Sequence, residues 1–120
     1  APNINGDGLH TRDFVHVADA CNAIMTLIDG EWNAEGHYVY NVATQTKTTL
    51  LDLVAEINNS LTDLISDFKT IIPIHGPERI GDIRHSMACI KRISTTLDWT
   101  PSKSFKQGIN ELVIERLKLI

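Results

Sequence analysis

The chain has 120 residues, of which 42% are hydrophobic and 22% charged, and a formal net charge of −4. That length fits one domain with a modest core, and the acidic balance (pI near 5.6) excludes a general binder of nucleic acid or anionic membrane, which needs a broad basic face. No apolar run approaches the roughly 18 to 20 residues of a membrane span, and the first residues lack a charged region followed by an apolar one.

Residues 1–4 read as a short extended piece, since Pro2 excludes a helix interior. Asn5-Gly6-Asp7-Gly8 is turn chemistry. It resembles the start of a GxGxxG run, but Thr11 stands where the last glycine belongs and a strand follows where a helix is required, so it is not a dinucleotide fingerprint. Residues 13–17 (DFVHV) alternate apolar and polar, the pattern of a strand with one buried face. Asp19 is placed to cap a helix running to about Ile28, with Ala20, Ala23, Ile24, Leu27 and Ile28 on one face and Gly30 at its end.

A polar loop over residues 31–36 carries Trp32. Tyr38-Val39-Tyr40-Asn41-Val42-Ala43 is aromatic and β-branched on both faces, which predicts a strand covered on two sides. Thr49 with Asp52 fits a capping box with Asp in place of Glu. It opens a helix whose buried stripe is Leu50, Leu51, Val54, Ile57 and Leu61, and Asn58-Asn59-Ser60 weakens its end. Ile71-Ile72-Pro73-Ile74 reads as a short edge strand, because Pro73 cannot donate to a ladder.

Ser86-Met87-Ala88-Cys89 is briefly extended. A short helix then runs from Ile90 to Leu97, and Asp98-Trp99-Thr100-Pro101 stops it. Ser104 and Gln107 form another capping box, and the last helix carries Phe105, Ile109, Leu112, Val113, Leu117 and Ile120 on one face. Cys21 and Cys89 are expected as buried, reduced thiols of a cytoplasmic protein. The histidines show no ligand spacing, so no metal site is expected. Strands alternating with about four helical segments make the chain α/β, with a small mixed or parallel sheet.

The stretch with the most chemistry is Gly76-Pro77-Glu78-Arg79-Ile80-Gly81-Asp82-Ile83-Arg84-His85-Ser86. It has no apolar periodicity and is expected to be a loop. A guanidinium is a planar, permanently charged fork that matches phosphate oxygens in pairs. Arg79 and Arg84 on a glycine-hinged loop, with Arg12 on a second loop, could clamp one anionic ligand. The plainer reading is solvated charge neutralised by Glu78, Asp82 and Asp13.

Read in order, GDGLHTRDFVHVAD, YNVATQTKTTLLDLV, RIGDIRHSMACIKRISTTLDWTP and a closing amphipathic helix resemble the C-terminal part of the extended short-chain dehydrogenase/reductase family, the NAD-dependent nucleotide-sugar epimerases and dehydratases. The nearest likeness is to the UDP-N-acetylglucosamine 4-epimerase branch, which has a similar RHS-x-A-D run. The resemblance implies that Arg12 and Arg79 grip the diphosphate of a UDP-sugar and that Asp82 holds a ribose hydroxyl. It implies that Asn3 and Asn5 offer backbone groups to the uracil edge and that Ser86 lines the sugar C2 substituent. Against the family pattern, Cys89 replaces the Asp of A-D, and Asp98 replaces the Gly of L-G-W.

Two things the family has are missing: a complete GxxGxxG on a leading strand, and a Tyr-x-x-x-Lys pair, since neither Tyr38 nor Tyr40 has Lys four residues on. The chain is therefore expected to be a single substrate-binding domain (1–120) without the cofactor half. It should bind no NAD, carry no catalytic residue and perform no isomerase chemistry alone. The alternative is a truncated stand-alone binding or interaction module. Residues 38–43 resemble the family's last parallel strand, so a homodimer, or a partner chain carrying the cofactor half, is expected to cover them.

Overall fold

The computed structural model describes residues 1–30 and 36–118. The order is β1 (Asn3–Asn5), β2 (Thr11–Arg12), α1 (Val17–Asp29), β3 (Thr48–Thr49), α2 (Leu50–Leu64), β4 (Ile74–Gly76), α3 (Lys91–Leu97) and α4 (Phe105–Lys118). The chain is thus α/β, with four helices among the described residues. The strands form two small ladders rather than one sheet: β1 pairs with β4 in parallel, and β2 with β3 antiparallel.

Local chemistry explains most element starts. Thr49 and Asp52 complete the expected capping box, with Thr49 Oγ1 accepting from the Asp52 amide (3.0 Å) and Asp52 accepting from the Thr49 amide (3.0 Å). Ser104 and Gln107 do the same for α4. α2 includes Leu61, as the expected stripe did, and runs on to Leu64 despite Asn58-Asn59-Ser60. Asn58 leaves the helix surface to bond both backbone groups of Ile71, donating to its carbonyl (2.9 Å) and accepting from its amide (3.0 Å). With Ile71 held there and Pro73 unable to donate, the strand expected at residues 71–74 starts only at Ile74, whose amide reaches the Pro2 carbonyl (2.9 Å).

Three further expectations are overturned. Residues 13–17 do not form a strand. Asp13 turns instead toward residues 44–45, accepting from the Thr44 amide (2.8 Å), the Thr44 hydroxyl (2.6 Å) and the Gln45 amide (2.9 Å). The cap of α1 is His16, whose Nδ1 accepts from the Ala18 amide (3.2 Å), not Asp19. Asp19 is 2% exposed and braces the approach to α4, accepting from the Ser102 amide, the Ser102 hydroxyl and the Lys103 amide at 2.7–3.0 Å. Residues 38–43 form no strand and pair with none among the described residues. Among the described residues, the only hydrogen bond to the backbone of 38–42 comes from Arg92 to the Val39 carbonyl (3.2 Å).

The core joins α1, α3 and this unpaired segment: Ala23, Ile93 and Trp99 are buried, with Tyr40, Val42, Ile90 and Leu97 packed around them. α2 packs on α4. The close approach of α4 to the start of α1 is tight at Gly108, where a Cβ would lie 3.0 Å from His16 Cδ2. Only part of each expected stripe is covered. Ala23 is buried, but Val17, Ile24, Met25 and Ile28 of α1, and Leu112 of α4, are at least half exposed. Cys21 and Cys89 are both exposed, against the expectation of burial, because Cys21 lies on that uncovered side of α1 and Cys89 in a loop. Trp32 and Ile120 lie outside the described residues. Among the described residues, no helix is long and apolar enough to cross a membrane.

Candidate functional site

The site is built where the two ladders meet the arginine loop. Gly6 and Gly8 adopt φ of +75° and +79°, which turns the chain from β1 into β2. At Gly8 a side chain has no space, because a Cβ would sit 2.8 Å from Leu51. The turn therefore lies directly on α2. Beyond β4, the loop returns so that Arg84 and Ser86 bracket β2: the Thr11 amide donates to the Arg84 carbonyl (2.8 Å), and the Ser86 amide donates to the Thr11 carbonyl (3.1 Å). His85 Nδ1 lies 3.0 Å from the Thr11 hydroxyl.

This folding brings most of the expected residues together. Asn3, Asn5 and Asp82 line one cleft of about 490 Å³, whose other wall is the apolar face of α2: Leu50, Leu53, Val54 and Ile57. On β1, the Pro2 carbonyl and the Gly6 amide bond to β4. Successive residues of a strand turn their backbone groups to opposite sides, so Asn3 and Asn5 present theirs to the free edge. Arg12 joins the cleft through Asp82, its Nη2 donating to Oδ1 at 2.7 Å. Asp82 in turn donates its amide to the Arg79 carbonyl (3.2 Å), which puts Arg79 one tight turn from that ion pair. The Arg79 side chain is exposed, with no ion pair among the described residues. Ser86 sits beside β2 and is not among the cleft-lining residues.

The neutralising acids differ in part from those expected. Asp82 does pair with Arg12, but Asp13 is used by residues 44–45, and Arg84 is held by Asp7 (2.6 Å) with Glu78 at 3.8 Å. The Arg84 hydrogen bond, then the Leu9 amide, hold the Asp7 carboxyl below the usual aspartate value, and Asp7 pushes Arg84 up in turn. Asp7 and the α2 wall were missed as site residues. The signal for Asp7 was its place between two glycines, but its partner is 77 positions away. What the arrangement offers chemically is an apolar wall, a free strand edge and one lining carboxylate, Asp82, that is paired with the Arg12 guanidinium. Such a cleft can hold a flat polar ring and an anion. Among the described residues, no group of histidine, cysteine or acidic side chains is set to hold a metal.

A family model described as GDP-mannose 4,6 dehydratase matches residues 2–112. The chain is 32% identical over 114 residues to a dTDP-glucose 4,6-dehydratase of Streptomyces niveus, covering 92% of this chain and 30% of that protein. Among solved structures it is similar to a UDP-glucose 4-epimerase of Thermotoga maritima with UDP-glucose. There the TM-score is 0.81 and the identity 28%, over 99% of this chain and 36% of that one. A UDP-N-acetylglucosamine 4-epimerase of Methanobrevibacter ruminantium, in complex with UDP-N-acetylmuramic acid, matches with a TM-score of 0.81 and 29% identity over 100% of this chain and 36% of that one. The chain spans about a third of the length of the curated relatives it matches.

Proposed function

The chain belongs to the GDP-mannose 4,6-dehydratase family, and from that premise we propose that it is the nucleotide-sugar-binding portion of a sugar-nucleotide epimerase or dehydratase. The observation that carries this reading is the lining of one cleft by Asp82, Asn3 and Asn5, with Arg12 bonded to Asp82 and Arg79 a turn away. In this reading Arg12 and Arg79 take the diphosphate of a UDP-sugar, Asp82 a ribose hydroxyl, the Asn3 and Asn5 backbone the uracil edge, and Ser86 the sugar. Arg12 exchanges its bond to Asp82 for one to phosphate, which frees the carboxylate for the ribose. The bound sugar nucleotides of similar solved structures support that ligand class.

NAD accompanies a dTDP-glucose 4,6-dehydratase of Bacillus anthracis, similar at 28% identity. The residues present here do not fit it: Gly6 and Gly8 run into β2, so the turn sets no helix N-terminus against a pyrophosphate. In our reading the chain binds no cofactor and has no turnover by itself. A second surface supports a missing partner. The chain exposes 8629 Å², where a compact monomer of its mass exposes about 6,500 Å². The uncovered stripe of α1 and the unpaired residues 38–42 belong to that excess. A second copy, or a chain carrying the cofactor half, is proposed to cover them. The free, exposed thiols suit a reducing cytoplasmic setting.

Calorimetry with UDP-N-acetylglucosamine tests the reading. The wild-type chain is expected to bind and the Arg12→Ala and Arg79→Ala variants to bind more weakly. Absence of binding by wild type refutes it, and turnover with added NAD refutes the non-catalytic part.

A further inference from the structure

We infer that Asp7 and Arg84 are a positioning pair, which sets the loop carrying Arg79 and Asp82 without touching the ligand. The inference rests on the nucleotide-sugar reading of the cleft and adds two residues to it.

The loop over residues 77–83 has little to hold it. Ile80 is 101% exposed and Ile83 66%, and nothing lies within 4 Å of where a Cβ of Gly81 would stand. Its internal anchor is the Asp82–Arg12 ion pair. That pair has to open if Arg12 and Asp82 both turn to a ligand. Something else must then keep Arg79 and Asp82 in place, and Arg84 is built for it. Its carbonyl is bonded to the Thr11 amide on β2 (2.8 Å). Its Nη2 donates to Asp7 in the β1–β2 turn (2.6 Å). Its Nη1 lies 3.8 Å from Glu78, on the far limb of the same loop. One residue thus ties the near limb, the far limb and the turn together.

Asp7 is fixed from its own side. Gly6 and Gly8 set the turn around it, and its Oδ1 accepts from the Leu9 amide (2.9 Å). Its Oδ2 is left to face Arg84. The His75 ring nitrogen on the Gly6 carbonyl (2.7 Å) and the Glu78 side chain against Gly6 hold the turn to the loop stem. The charges divide accordingly. Arg84 faces two acids, Arg12 faces one, and Arg79 faces none among the described residues. An arginine already matched by two carboxylates is poorly placed to give its charge to a phosphate. Arg79 and Arg12 are the ligand arginines, and Arg84 sets where they stand.

The test is a cycle of Asp7→Asn, Arg84→Gln and the double variant, with Arg84→Lys beside them. Two quantities are read on each: affinity for UDP-N-acetylglucosamine, and the rate of tryptic cleavage after Arg79 without ligand. Each single variant should weaken binding about fivefold to twentyfold, as residues acting through others do. The double variant should be no weaker than the worse single, because the two act as one unit. Cleavage after Arg79 should speed up in all three. Arg84→Lys should restore much of both, since it keeps a cation for Asp7. Losses that multiply in the double variant would make Arg84 a ligand contact and overturn the inference, as would single variants that bind and cleave like wild type. If wild type binds no nucleotide sugar, the cleft reading fails, and the cleavage rates still decide whether the pair sets the loop.

Discussion

Removing the carboxylate of Asp19 should destabilise the chain far more than an ordinary surface change. Asp19 is 2% exposed and accepts three bonds, from the Ser102 amide (2.9 Å), the Ser102 hydroxyl (2.7 Å) and the Lys103 amide (3.0 Å). Bonds to a charged group contribute about 1.5–3 kcal/mol each before the cost of burying the charge is set against them. Asp19→Ala also strands donors at the lead-in to α4, so a loss of about 3 kcal/mol is expected, or roughly 10–15 °C in Tm for a chain of this size. Asp19→Asn keeps one acceptor oxygen and should lose about half as much.

The effect has a pH signature. Burial pushes the Asp19 carboxyl up, but the Ser102 hydroxyl and the Ser102 and Lys103 amides outweigh it and hold the group below its ordinary value of 3.8. A carboxylate with a lowered folded-state pKa contributes stability that is complete above the unfolded value and is lost as pH falls through the folded one. The gap between wild type and Asp19→Asn should therefore be full at pH 7 and shrink below about pH 3.8. Asp7, Asp52 and Glu111 are lowered as well, by Arg84, the Thr49 hydroxyl and Lys103 in turn, so the difference between the two proteins is the quantity to read. Urea unfolding at pH 7 and at about pH 2.5 measures it. A loss under about 1 kcal/mol for Asp19→Ala, or a gap that does not change with pH, would refute the reasoning.

Arg12→Ala should weaken UDP-sugar binding by about 1.5–3 kcal/mol, and Arg12→Lys should recover only part of it, because a point charge lacks the fork; calorimetry on both variants checks this. Gly8→Ala should cost about 2 kcal/mol or more, combining strain at φ +79° with contact against Leu51. Gly81→Ala, at φ +81° in open space, should cost only the strain of about 1 kcal/mol; equal losses in thermal melts would contradict the packing at Gly8. Sedimentation at micromolar concentration should give wild type a mass that rises with concentration, and Ile24→Glu, in the uncovered stripe of α1, should lower it. A wild-type monomer at every concentration would show that the exposed surface needs no partner.

What could be read from the residues alone follows the range of the interactions. The Thr49–Asp52 and Ser104–Gln107 boxes close within one turn, so α2 and α4 were placed to within a residue at their starts. The order of the four helices was legible from such local signals, whereas β2 and β3 fall where no strand was expected. The alternation at residues 13–17 misled because Asp13 and His16 spend their polar atoms on Thr44, Gln45 and the cap of α1, and no strand is beside them. Residues 38–43 have the composition of a covered strand and, among the described residues, no neighbouring strand to realise it. In the cleft, Asn3, Asn5, Arg12 and Asp82 were named from their motifs. Asp7 could not be matched to Arg84, nor the α2 wall to Asn3, because those meetings depend on the β1–β4 register.

That register has a kinetic consequence. Asn3 pairs with Ile74, Arg12 with Asp82 and Asp7 with Arg84, each across about 70 positions or more. The capping boxes of α2 and α4, by contrast, close over three. Long-range closures of this kind pay their loop entropy before any contact rewards them, so they form late and slow the folding of the whole. The cleft is thus expected to assemble last and to be the first part that a local opening releases. A ligand bridging both of its sides would bind only the closed chain. It would slow this opening while leaving the fraying of the helices unchanged, so hydrogen exchange at β1 and β4 would fall on binding and exchange at the ends of α2 and α4 would not.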